Sequence, residues 1–127
     1  MLLELAIGDA YGAGFEYVSN KIIRENNNLS GYIKHQRHDI KADHYTDDTQ
    51  MTLAIVEAML SGKPWTSRLL ADYFVIAFKR DPREGYASNF FTFLSSVSSG
   101  DEFLHKIVPT SNDSALSGPG DVCNEQF

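Results

Sequence analysis

Cysteine is nearly absent. Cys123 stands alone among 127 residues, so no internal disulfide can form and an oxidising compartment is not implied. Long apolar runs are missing, and the opening Met1-Leu2-Leu3-Glu4 has no basic stretch ahead of an apolar one. Neither a membrane-spanning helix nor a secretory signal is expected, and the cytoplasm is the expected location. Basic charge is scarce as well. Only 11 Lys and Arg stand against 17 Asp and Glu, a net charge of −6. Nucleic-acid binders usually show a basic face, so neither a nucleic acid nor a membrane is an expected partner. The acidity reads as a contribution to solubility. Strand-like alternation and internal repeats are lacking too, which leaves an all-α fold. The length allows one domain with a modest core.

What is present gathers around Tyr45-Thr46-Asp47-Asp48-Thr49-Gln50-Met51. Met51, Ala54, Ile55, Ala58 and Met59 recur at helical spacing and predict a helix over 47–60. Asp47 with Gln50 fits a capping box, and Thr46 as the cap fits equally well. In either register both carboxylates lie in the first turn, where free N–H groups favour negative charge. Asp and Thr are also ordinary capping residues. As ligands, such hard oxygens suit Mg²⁺, Mn²⁺ or Ca²⁺ rather than zinc.

Residues 2–13 predict a short helix of small residues that carries Asp9. A buried Asp needs hydrogen-bond partners, so Asp9 reads as a tie between two segments. Glu16 follows Gly12 and Gly14, just past the helix end. Asn20 is a candidate cap for a helix over 21–25, broken by Asn26-Asn27-Asn28. From 32 to 44 the chain is polar and unpatterned, with His35, His38, Asp39, Asp43 and His44. Zinc is one reading of that set. The lack of a nearby Cys and of a helical His pair favours a solvated surface loop.

Thr66 or Ser67 caps the next helix, which runs to about Arg80 and is apolar nearly all round, so it is expected to be buried on most sides. Trp65 before it reads as a packing anchor rather than a ligand platform. Residues 84–89 form a loop around Gly85 and Tyr86. Helices follow over 90–98 and 101–108.

Leu5-Ala6-Ile7-Gly8-Asp9-Ala10-Tyr11-Gly12-Ala13-Gly14-Phe15-Glu16, taken with Tyr45 to Met51, resembles the ADP-ribosylglycohydrolase family. That family includes the dinitrogenase reductase-activating glycohydrolase and the ADP-ribosylarginine hydrolases. Its opening motif, Gly-Asp-Ala-x-Gly with a Glu shortly after, matches Gly8 to Glu16. Its metal motif, Thr-Asp-Asp-Thr, matches Thr46 to Thr49. The segment 78–87 is similar to its Gly-Tyr loop. The two leading motifs are specific together and weak apart. The resemblance implies an orthogonal helical bundle of that type, here truncated. It also implies metal-dependent hydrolysis of the glycosidic bond between ADP-ribose and an acceptor, on a protein or a small molecule.

By that resemblance, Thr46, Asp47 and Asp48 are ligands of a binuclear Mg²⁺ or Mn²⁺ site. Glu16 and Asp48 are the catalytic candidates. Glu16, Gly85 and Tyr86 are the substrate-binding candidates, the last two along the diphosphate. Glu16 and the metal motif are expected to share one cleft. The family's second metal motif, Asp-x-Asp-Thr/Ser, has no counterpart after residue 50. The expected division is a glycohydrolase-like part over 1–114 and a divergent, disordered tail over 115–127, whose Gly118-Pro119-Gly120 reads as a replaced or frameshifted end. The chain alone is then expected to be an impaired catalyst, with Phe74, Phe90 and Phe91 left uncovered and prone to self-association. Two other readings stay open: a non-catalytic helical module of crystallin-like structural use, and an ADP-ribose or nucleotide binder without turnover.

Overall fold

Capping side chains mark where three of the six described helices begin. Residues 1–108 are described by a computed structural model and hold six helices. These are α1 (Leu2–Ala13), α2 (Asn20–Asn26), α3 (Asp47–Leu60), α4 (Ser67–Arg80), α5 (Ser88–Ser96) and α6 (Gly100–Lys106). Ser19 Oγ accepts the Ile22 N–H at the start of α2, Thr66 Oγ1 accepts the Leu69 N–H at α4, and Ser99 Oγ accepts the Glu102 N–H at α6. Such caps contribute about 1 kcal/mol each. Ser19 therefore takes the place expected for Asn20. Strands do not occur among the described residues, and the fold is all-α. None of the described helices is long and apolar enough to cross a membrane. The expected boundary at residue 114 and the tail 115–127 lie outside the described residues.

The core belongs to α3 through α6. α4 is its centre and packs on α3, α5 and α6. Ala54, Ala71, Phe74, Val75, Ala77, Phe78, Phe90, Leu94, Val97 and Phe103 form one buried cluster. Phe78 meets Phe91 and Tyr86 edge-on, with ring centroids 5.2 and 5.7 Å apart, and Phe93 meets Phe103 at 5.0 Å. Full burial of one such ring contributes about 1.5–3 kcal/mol. Small Ala residues on α3 and α4 let the two backbones approach, so the rings of α4, α5 and α6 fill the space beside them.

Several expectations are corrected here. Phe74 and Phe90 are 8% and 7% exposed, so described neighbours already cover them. Exposed apolar side chains sit elsewhere, chiefly Leu3 and Ile7 on α1 and Met59 and Leu60 at the end of α3. Trp65 is 56% exposed and lies outside the core cluster. The segment 32–44 is not a purely solvated loop, because His35 and Ile40 are buried. Around His35 the loop lies against the turn after α1, where Ile33 meets Gly14 and the His35 ring meets Tyr17.

Candidate active site

α3 lacks a cap of its own. Thr46 holds the N-cap position, yet its hydroxyl bonds no backbone N–H of its own helix. Asp9, reaching over from α1, does that work. Its carboxylate accepts the Thr46 N–H at 2.8 Å and the Thr49 N–H at 3.2 Å. It also accepts the Thr46 hydroxyl at 2.6 Å and the Thr49 hydroxyl at 2.5 Å. An anion bound to free N–H groups at a helix N-terminus is in its most favourable place. Both threonines of the Thr-Asp-Asp-Thr stretch are thus committed to Asp9, and both are buried. The tie expected of Asp9 is present.

The loop between α4 and α5 closes over the same turn. The Asp47 N–H donates to the Glu84 carbonyl at 3.1 Å. Gly85, at φ +109, lies so near that a Cβ there would sit 2.0 Å from Asp47 Oδ1 and 2.9 Å from Thr46 Cβ. Both the conformation and the space require glycine. Gln50 does not complete a capping box. Its amide donates to the carbonyls of Ala77 and Asp81, at 3.3 and 2.6 Å, and so fastens the end of α4. Its amide oxygen accepts the Tyr86 hydroxyl at 2.9 Å. Burial, with Asp47 nearby, pushes the Tyr86 phenol well above its usual range, so the phenol stays protonated.

With the threonines pinned, the Asp47 and Asp48 carboxylates stay outside the Asp9 clamp, Asp47 lying against Gly85. Asp47 is half-buried and Asp48 exposed. Burial first, then the Asp48 charge, pushes Asp47 up to about 6. Burial and Asp9 raise Asp48 as well. None of the ion pairs among the described residues engages either one. Glu16 is raised by burial and by the charges of Asp48 and Asp9, with His38 opposing. The charges of Asp48 and Asp9 thus reach Glu16.

Among the described residues, no group of three or more His, Cys, Asp and Glu is gathered closely enough to hold a metal ion. In the Thr-Asp-Asp-Thr stretch the oxygen donors are the Asp47 and Asp48 carboxylates and the Thr46 hydroxyl. Thr46 gives its proton to Asp9, which leaves its oxygen lone pairs for a cation. Two carboxylates and a hydroxyl are hard oxygen donors, a set that fits a hard divalent ion such as Mg²⁺ or Mn²⁺. The polar set at 35–44 forms no zinc group.

The chain matches the ADP-ribosylglycohydrolase family model over residues 1–121. It belongs to the ADP-ribosylglycohydrolase family. Searches of curated proteins and of solved structures gave no match. In this ADP-ribosylglycohydrolase chain, Thr46, Asp47, Asp48, Glu16, Gly85 and Tyr86 were candidates by resemblance to the family's motifs. Two contributors escaped it. Gln50 was read as a cap partner and instead joins α3 to α4 and Tyr86. His35, read as a loop residue, lies buried beside Glu16. For Gln50 the available signal was its place after Thr49 in a helix facing an apolar neighbour; for His35 the sequence held none.

Proposed function

We propose that the chain carries the first half of a metal-dependent ADP-ribosylglycohydrolase site, which cleaves the glycosidic bond between ribose and an acceptor on a protein or small molecule. The observation that carries this reading is the Asp9 clamp. By holding Thr46 and Thr49, it leaves both carboxylates free of its bonds, Asp48 exposed and Asp47 half-buried, and neither in an ion pair among the described residues. Thr46, Asp47 and Asp48 would hold Mg²⁺ or Mn²⁺. When bound, that ion would orient vicinal ribose hydroxyls and offset charge at the reacting centre.

The chain's own residues supply the rest. Glu16, raised toward neutrality, is suited to take a proton from the attacking water or give one to the departing acceptor. Asp48, whose charge reaches Glu16, would fix the approach of the sugar. Gly85 leaves backbone free for the diphosphate, and Tyr86 holds that loop through Gln50. With three donors for two ions, the second ion faces too little negative charge to offset repulsion from the first. The chain alone is accordingly a weak metal binder and a poor catalyst. The same shortage favours, as the second reading, an ADP-ribose binder without turnover.

Release of ADP-ribose from arginine-linked and serine-linked substrates, with Mn²⁺ present, tests the reading. Slow turnover that disappears in Asp48→Asn supports the impaired enzyme. ADP-ribose binding without any turnover supports the binder. Neither binding nor turnover leaves a helical module and removes the proposal.

A further inference from the structure

The turn that carries Glu16 is gripped by the loop 33–38. Gly14 rests on Ile33 so closely that a Cβ there would come within 2.5 Å of the Ile33 carbonyl oxygen. Tyr17, directly after Glu16, has φ +54, a conformation that persists in a non-glycine residue only when its surroundings hold it. Its ring meets the His35 ring edge-on at 6.5 Å and the Arg37 guanidinium at 5.4 Å. Within this grip the His35 side chain is wholly buried. Its Nδ1 accepts the Arg37 N–H at 3.0 Å and the His38 N–H at 2.9 Å. A ring nitrogen that accepts two hydrogen bonds carries no proton, so the neutral ring holds its proton on Nε2. Nε2 has no hydrogen-bond partner. It faces Glu16 Oε2 at 3.6 Å.

We propose that His35 is a positioning residue whose Nε2–H closes onto Glu16 Oε2 and holds that carboxylate on the Asp48 side of the site. What Glu16 then does rests on the glycohydrolase reading; the hydrogen bond itself does not. A buried donor without a partner is costly, and the half-exposed Glu16 side chain needs only a small rotation to supply one. Contacts of this kind are commonly long in the free protein and tighten on binding. The two faces of the imidazole have separate uses. Nδ1 organises the loop, and a histidine with a purely structural role would need nothing more. Nε2 is left over by the fold and aimed at Glu16. Burial, with His38 and Arg37 nearby, holds the ring below its ordinary pKa, so it orients Glu16 without neutralising it.

The test uses the full chain, isotope-labelled, without metal or nucleotide, so that a failure to bind Mn²⁺ counts against the glycohydrolase reading alone. Imidazole ¹H–¹⁵N correlation is expected to show His35 as the Nε2–H tautomer, with an Nε2 shift that moves in Glu16→Ala. His35→Asn keeps an acceptor near the place of Nδ1 and removes the Nε2 donor. It is expected to leave the amide shifts of 36–40 near those of the parent while the Glu16 Cδ signal moves. His35→Gln, which returns a donor near Nε2, is expected to bring that signal back toward its original place. An Nδ1–H tautomer, an Nε2 shift indifferent to Glu16→Ala, or a Glu16 Cδ signal indifferent to His35→Asn would overturn the proposal. The Glu16→Ala arm alters an exposed side chain and does not depend on the His35 variants folding.

Discussion

The two halves of the molecule are held by different forces. α3 to α6 share a cluster of Phe, Leu and Val side chains from which water is excluded. α1 buries only Ala10 and Ala13, and α2 buries no residue. The first half is fastened by polar bonds instead, four of them into the single carboxylate of Asp9. Apolar contact is strong but non-directional, whereas a hydrogen bond fixes an angle and a distance. Stability therefore resides in the aromatic half. Site geometry resides at the seam, where α1 and the α4–α5 loop meet the first turn of α3.

The largest effect that sharpens this contrast is expected in the core. Phe78→Ala removes a ring that is 2% exposed. It should cost about 3–5 kcal/mol in urea unfolding and lower the stability of every helix together. A cost below about 1 kcal/mol would mean that the cluster is not the seat of stability. Asp9→Ala comes next, at about 2–3 kcal/mol for charged hydrogen bonds lost at a helix end. Its mark should be local. Hydrogen exchange should quicken in α1 and the first turn of α3 and change little in α4. Equal quickening in α4 would break the comparison.

Asp47 gives a smaller effect of opposite sign. Its carboxyl is raised to about 6 in the fold, against roughly 3.9 in an unfolded chain. The folded state thus holds the proton more tightly, and stability falls as pH rises through that window. Asp47→Asn should stabilise the metal-free chain by roughly 1–2 kcal/mol at neutral pH after allowance for solvent screening. The gain should vanish below about pH 4. A pH-independent gain would point to packing rather than charge. Smallest is Tyr86→Phe, at about 1 kcal/mol, because Gln50 keeps its bonds to Ala77 and Asp81 after the hydroxyl is gone.

The same division explains what could be read from the chain before its structure. Helical periodicity reports apolar faces, so α3 and α4 were legible nearly to the residue, and Asp9 was legible as a tie because a carboxylate among small apolar residues needs partners. Periodicity is silent where backbone is held by side chains. The region 32–44 has no pattern, yet His35 is buried because its ring caps its own loop through Nδ1, which no spacing rule encodes. Trp65 shows the converse error. A large ring ahead of an apolar helix suggests an anchor, but this one precedes the cap and faces solvent. Phe74 and Phe90 were expected to need further helices, whereas Phe103 on α6 lies 6.4 Å from each ring. At the site, the two motifs resembling the family's hold the pair that the structure joins directly, Asp9 with Thr46 and Thr49. The distances came from Gly85 and Gln50, whose partners are far away in sequence.

Calorimetric titration of Mn²⁺ into the full chain tests the central claim most directly, with Asp47→Asn and Asp48→Asn beside the parent at about pH 7 and again at about pH 5. The expected result is a single weak site per chain, lost in Asp48→Asn, diminished in Asp47→Asn, and weaker at the lower pH, where protons compete for Asp47. Two tightly held ions, or binding that neither substitution alters, would contradict the account.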